Sequence, residues 1–66
     1  MTPSQAQIAY EQMLALIHTD LFQAECIARG LATAALLALD SGDIPRAQAI
    51  GKLALDAQEA VGSAHR

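Results

Sequence analysis

Hydrophobic residues recur at three- and four-residue steps through the first forty residues of the chain. The stripe consists of Tyr10, Met13, Leu14, Ile17, Leu21, Ala24, Ala28, Leu31, Ala35, Ala38 and Leu39. At ~100° per residue these positions share one face of a helix, and the stripe keeps its phase to the end. Thr2 can cap this helix, Pro3 suits its first position, and Gln5 suits the partner position of a capping box. The pattern therefore predicts one long helix over residues 3–39.

A competing signal lies near the middle of this long helix. Thr19 and Asp20 are both good N-cap residues, and Gln23 follows Asp20 by three positions. His18 suits the end of a preceding helix. Neither Gly nor Pro marks the site, and the stripe stays in phase across it, which favours a continuous helix. The alternative is a break at Thr19–Asp20, which gives three helices.

The segment Asp40-Ser41-Gly42-Asp43 is a clear turn signal. Gly42 suits the left-handed conformation that closes a helix, and Asp43 suits the N-cap of the next one. That second helix, over residues 44–62, has an apolar face of mostly small residues: Ala47, Ile50, Ala54, Ala57 and Val61. The predicted fold class is therefore all-α. Its architecture is a single-domain antiparallel helical hairpin with a long helix, a tight turn at residues 40–43 and a shorter helix.

The two predicted helices differ in length, which bears on oligomeric state. A helix over residues 3–39 is ~55 Å long and its partner only ~27 Å, so half of the apolar stripe lacks a partner. A chain of 66 residues with one cysteine has a small core and no internal disulfide to stabilise it. We therefore expect a homodimer, in a four-helix bundle. Its seam is predicted at Tyr10, Met13, Leu14, Ile17 and Leu21.

Large apolar residues also lie on the side of the long helix opposite the stripe. Phe22, Leu36 and Leu37 share that side with the charged residues Glu25 and Arg29. One interpretation is that they pack against the second copy in the bundle. The other is a docking surface for a different protein, since aromatic anchors with a charged rim are typical of binding hot spots. The sequence predicts these five residues as a partner-binding surface centred on Phe22.

Charge and hydropathy narrow the possible partners and location. The net charge is −3 and the few cationic residues are scattered, which argues against binding to nucleic acid. The N-terminal sequence lacks the basic region followed by an apolar run that is typical of a signal peptide. The longest uncharged apolar stretch, residues 30–39, has ten residues, whereas a bilayer span takes ~20. We expect a cytoplasmic protein that binds neither nucleic acid nor membrane.

The chemically versatile side chains are too dispersed for a reactive site. His18 has Glu11 and Glu25 one heptad to either side, ~10 Å away along the helix axis, which is too far for one metal ion to join them. Cys26 lacks a His/Asp constellation to activate it and is expected to be a small buried hydrophobe. The sequence predicts no catalytic, metal or cofactor site, and hence a protein that is not an enzyme.

Two known families resemble the turn and the second helix. Ser41-Gly42-Asp43-Ile44-Pro45, followed by Arg46-Ala47-Gln48-Ala49-Ile50, is similar to the helix–turn–helix unit of tetratricopeptide-like repeats. From Gly42 to Val61 the chain also resembles the small helical-hairpin co-chaperones of type III secretion needle proteins. That resemblance implies a surface for a second chaperone. Two functions are therefore expected: a small homodimeric helical regulator or adaptor that binds another protein, or an export or assembly co-chaperone stable only in a heterocomplex.

Overall fold

The chain forms three helices in a computed structural model that describes residues 1–65. They are α1 (Pro3–Leu16), α2 (Leu21–Asp40) and α3 (Ile44–Ala64). No strand occurs within this described part of the chain, so the all-α prediction is confirmed. The prediction of two helices is wrong, because the long first helix is divided into α1 and α2.

The start of α1 has the predicted capping box. The Thr2 hydroxyl accepts a hydrogen bond from the Gln5 backbone N–H at 3.1 Å, and the Gln5 side-chain oxygen accepts one from the Thr2 N–H at 2.9 Å. Two N–H groups that helix geometry leaves without partners are thereby satisfied.

The connection between α1 and α2 spans Ile17 to Asp20 and contains no glycine. The Leu16 carbonyl accepts hydrogen bonds from the Thr19 N–H at 3.0 Å and the Asp20 N–H at 2.7 Å, which closes the last turn of α1. Asp20 leaves the helical conformation with φ −149°, and its carboxylate accepts a hydrogen bond from the Gln23 N–H at 3.1 Å. The predicted continuous helix over residues 3–39 is therefore wrong. The capping residues provide hydrogen-bond partners for both helix ends, which makes the break possible without Gly or Pro.

The connection between α2 and α3 is a Schellman turn. The Gly42 N–H donates to the Leu39 carbonyl and the Asp43 N–H to the Ala38 carbonyl, each at 3.0 Å. Gly42 has φ +80°, and the Asp43 carboxylate caps α3 by accepting from the Arg46 N–H at 3.2 Å. The predicted turn, the predicted left-handed Gly42 and the predicted cap are confirmed. Helix α3 continues to Ala64, two residues beyond its predicted end.

The core lies between the three helices and consists mainly of alanine. Six of the ten buried hydrophobic residues are Ala, and the larger ones are Met13, Leu31, Ile50 and Val61. Helices α2 and α3 are joined by the short turn and form the most extensive helix pair, while α1 contacts both of them. The predicted apolar face of α3 is confirmed. Ile50, Ala54, Ala57 and Val61 are buried, and Ala47 is half-buried.

The break at Asp20 changes the environment of the predicted dimer seam. Because the chain reverses there, α1 packs against α2 and α3 of the same molecule. Met13 is fully buried, whereas Tyr10, Ile17 and Leu21 are half-buried against the core, and only Leu14 is 41% exposed. The premise that this stripe lacks a partner within the chain is wrong. Dimerisation itself stays a prediction.

Candidate docking surface

Many large apolar side chains lie on the surface. Within residues 1–65, nine are exposed, whereas four non-alanine hydrophobic residues are buried and six large ones are half-buried against the core. The exposed ones are Met1, Ile8, Leu14, Phe22, Leu36, Leu37, Leu39, Ile44 and Leu55. Single exposed hydrophobic residues are common on soluble proteins, but clusters of them mark interaction sites. We therefore asked which of these nine lie together.

Four of them line one groove between α2 and α3. Leu36 and Leu39 come from α2, whereas Ile44 and Leu55 come from α3. The groove has a volume of about 720 Å³, and no residue of α1 lines it. We call it the α2–α3 groove. Its other apolar lining residues are small: Ala32, Ala35, Ala47, Gly51 and Ala54.

The groove follows from a second apolar stripe on each helix, beside the stripe that faces the core. On α3 the stripe consists of Ile44, Gly51 and Leu55, and on α2 of Ala32, Leu36 and Leu39. Steps of three, four and seven residues keep each set on one side of its helix. A Cβ atom added to Gly51 would lie 3.9 Å from the Ala35 Cβ, in ordinary van der Waals contact. Small residues thus let α2 and α3 lie close together beneath the leucine walls.

The α2–α3 groove continues into a smaller polar cavity toward the end of α3. Gln58 lines both cavities, and the second one, of about 250 Å³, is also lined by Glu25, Arg29 and His65. The His65 ring Nε2 contacts the Glu25 carboxylate, which links the last turn of α3 to α2. One side of the α2–α3 pair is therefore apolar near the turn and polar at the other end.

The charges along this side are mainly positive. Lys52 lines the groove and Arg29 lines the polar cavity. Neither residue makes an ion pair within residues 1–65, whereas Arg46 lies 3.3 Å from the Asp43 carboxylate. Asp56 and Glu59 instead line a separate cavity together with Tyr10 of α1. Among residues 1–65, the cationic side chains of Lys52 and Arg29, which have no ion-pair partner there, thus lie beside the groove and the polar cavity.

The predicted partner-binding surface is divided in the structure. Leu36 lines the α2–α3 groove, and Glu25 and Arg29 line its polar extension. Phe22 is 74% exposed and Leu37 is 63% exposed, but neither lines a described cavity.

Three groove residues were missed by the prediction: Leu39, Ile44 and Leu55. Leu39 was assigned to the core-facing stripe but is 53% exposed, because it lies in the last turn of α2 where the bundle ends. The seven- and four-residue steps of the second stripe on α3 were the available signal for Ile44 and Leu55.

The versatile side chains do not assemble into a reactive centre. No group of three His, Cys, Asp or Glu residues that could hold a metal ion occurs among the described residues. His18 is exposed. Cys26 is also exposed, so its expected burial is wrong, and it lies on α2 outside the cavities described above.

Helix α2 is long and apolar enough to cross a membrane when judged by length and composition alone. It has 20 residues, its mean hydropathy is 1.3, and 22% of the apolar window is buried in the bundle. Core helices of soluble proteins and signal sequences also meet these criteria. The composition of α2 therefore does not by itself assign a membrane location.

Comparisons with protein-family models, with curated proteins and with solved structures gave no match to this chain. The resemblance of residues 42–61 to secretion co-chaperones rests on the sequence pattern. The function must therefore be argued from the chain's own residues.

Proposed function

We propose that the protein is a non-enzymatic protein–protein interaction module that binds a helix in its α2–α3 groove. The observation that carries the proposal is the distribution of large apolar residues. The core is mostly alanine, while Leu36, Leu39, Ile44 and Leu55 lie exposed around one groove. A site with leucine walls and a floor of small residues suits the apolar face of an amphipathic helix.

The groove contains enough apolar surface to support binding. Leu36 is 64% exposed and Leu55 is 72% exposed, so most of each side chain is in contact with water. Complete burial of such a side chain is favourable by about 1.5–3 kcal/mol, and these two can still gain most of that amount. The groove therefore offers several kcal/mol of gross stabilisation, before the cost of ordering the partner is subtracted.

A second candidate function is a co-chaperone that is stable only in a heterocomplex. The specific observation in its favour is the small size of the core, where Met13, Leu31 and Ile50 are the only large side chains of residues 1–65 that are fully buried. Chains of this size commonly need an additional stabilising element, and for this one a partner helix would serve. The type III secretion-like role belongs to this candidate.

The homodimeric regulator or adaptor predicted from the sequence is an alternative use of the same groove, in which a second copy occupies it and the groove, in place of the α1 stripe, is the dimer interface. Two copies joined through their α2–α3 pairs form a four-helix bundle. Sedimentation equilibrium of the purified chain measures its mass directly. A folded dimer supports the regulator, and a weakly helical or aggregating chain supports the obligate heterocomplex.

The experiment that tests the groove compares two neighbouring leucines. Leu36 and Leu37 have nearly equal exposure, but only Leu36 lines the groove. Leu36→Gln should weaken binding to the cognate partner, isolated by pull-down from the native cell, by about 2 kcal/mol. Leu37→Gln, the matched control, should change it by less than about 0.5 kcal/mol. Isothermal calorimetry measures both, and equal losses for the two variants would place the interface outside the groove.

Phe22 tests whether the partner-binding surface extends beyond the groove. Because its ring is 74% exposed, Phe22→Ala should change the free energy of unfolding by less than about 0.5 kcal/mol. If the ring is a hot spot, as the sequence predicts, the same variant weakens partner binding by about 2 kcal/mol. Circular dichroism during denaturation and calorimetry with the partner separate these effects. Unfolding of Phe22→Ala would instead show that the ring is part of the core.

A further inference from the structure

We infer that the occupant of the α2–α3 groove is an amphipathic helix with acidic flanks, supplied by a different protein. This inference rests on the proposed function and identifies the chemical class of its partner. Its basis is that, within residues 1–65, two cationic residues but only one acidic residue line the groove and the polar cavity.

The shape of the site favours a helix that lies along α2 and α3. The apolar part begins near the turn, at Leu39 and Ile44, and the polar part reaches His65, the residue that follows α3. Helix α2 has 20 residues, so this side of the pair is ~30 Å long. A helix of about five turns spans it, with apolar residues facing the leucine walls and polar residues facing the other end.

The cationic residues that line the site favour a bound helix that carries acidic residues along its edges. Lys52 beside the groove and Arg29 beside its extension have no ion-pair partner among residues 1–65. Among residues 1–65, the one acidic residue that lines the groove or the polar cavity is Glu25, and it is in contact with His65. Carboxylates on the edges of a bound helix would therefore lie near two cations that have no ion-pair partner there. Such complementarity mainly determines which partner is accepted and how fast it associates.

The same charges disfavour a second copy of this chain as the occupant. A two-fold interface brings the same residues from both molecules together, so two Lys52 and two Arg29 side chains would share one interface. The carboxylate that each copy contributes is Glu25, which already contacts His65. An acidic helix leaves no such excess of like charge.

Two synthetic helices provide the test. Both have about 18 residues, with Leu at helical three- and four-residue steps, and they differ only in carrying Glu or Lys on the flanks. The protein is labelled at Cys26, which is exposed and outside the groove, and fluorescence anisotropy measures binding. The Glu-flanked peptide should bind about tenfold more tightly than the Lys-flanked one. The difference should shrink at about 1 M salt, where the Debye length is only ~3 Å.

A pair of double variants, equal in net charge, locates the source of this preference. Lys52→Gln with Arg29→Gln removes both cations beside the groove and should abolish the preference. Gln7→Glu with Gln12→Glu makes the same change in net charge on exposed positions of α1 and should preserve it. Circular dichroism of each variant confirms that it is folded. Loss of the preference in both double variants would overturn the inference, because overall charge would then be responsible.

The remaining outcomes separate this inference from the proposed function. Equal binding of both peptides, weakened by Leu36→Gln, would overturn the acidic partner and leave a helix-binding groove. Failure of both peptides, together with a dimer that Leu36→Gln dissociates, would identify a second copy as the occupant. Binding to vesicles of anionic lipid, but to neither peptide, would overturn the proposed function as well.

Discussion

The two sides of the α2–α3 pair differ in whether α1 covers them. On one side α1 covers the pair, and Met13 is fully buried in contact with a core that includes Leu31 and Ile50. On the other side no residue of α1 is present, and leucine and isoleucine side chains surround an open groove. Both sides are apolar, so their composition does not explain the difference. The two sides differ because α1 packs on one of them and leaves the other uncovered.

A small helical fold can thus bury a core on one side of a helix pair and still leave an apolar groove open on the other. Two helices packed together have two broad sides, and one short helix can cover only one of them. The covered side gives the chain its core. The uncovered side keeps the geometry that suits another helix, and that geometry is what we propose a partner uses.

The largest loss of stability is expected when a buried side chain is removed from the side that α1 covers. Met13→Ala deletes a fully buried side chain and should lower the free energy of unfolding by about 2–5 kcal/mol, through lost burial and the cavity left behind. Leu14→Ala, one residue away and 41% exposed, should cost less than about 1.5 kcal/mol. Urea denaturation followed by circular dichroism measures both. Similar losses would mean that α1 is not held by the buried face described for it.

The connection at Asp20 allows α1 to reach the covered side at all. Asp20→Ala removes the carboxylate that caps α2 and should cost about 1 kcal/mol, while Asp43→Ala should cost a similar amount at the start of α3. Both variants should keep the oligomeric state of the wild-type chain. If Asp20→Ala alone joins α1 and α2 into one helix and changes the mass in sedimentation, the cap at Asp20 determines the fold.

The smallest test of the uncovered side is the addition of one methyl group to the floor of the α2–α3 groove. Gly51→Ala adds one to the groove floor, whereas Gly30→Ala adds one where nothing lies within 4 Å. Each variant should raise the free energy of unfolding by about 0.5–1 kcal/mol, because Ala is the better helix former. Only Gly51→Ala should weaken binding of the Glu-flanked peptide, by about threefold, since it narrows the approach to the floor. Anisotropy titrations of the two variants decide this, and equal affinities would show that the bound helix does not touch the floor.

Much of the fold follows from local signals in the sequence. The capping box at Thr2 and Gln5, the Schellman turn at Gly42 and the Asp43 cap each depend on neighbouring residues, and each is found as predicted. The break at Asp20 was harder to predict because two signals conflict there. The continuous phase of the stripe favoured one helix, but it could not show that α1 gains more by packing onto α2 and α3.

The candidate site could be predicted only in part, because a groove depends on two helices at once. Leu36 was recognisable as an apolar residue away from the main stripe. The stripe on α3 marks Leu55 as apolar, but its position across one groove from Leu39 depends on how α2 and α3 pack, which no single helical wheel contains. The sequence groups Phe22 and Leu37 with Leu36, but the cavity that Leu36 lines lies between α2 and α3 and includes neither of them.

The alanine-rich core has a consequence for conformational entropy. An alanine side chain has no rotamers to lose when it is buried, so six of the ten core positions become ordered at almost no side-chain entropy cost. Leucine and isoleucine lose about 0.5–1 kcal/mol of rotamer freedom each on burial, and the groove keeps four of them in contact with water. If a partner helix binds the groove as we propose, the ordering of these four side chains accompanies binding and not folding.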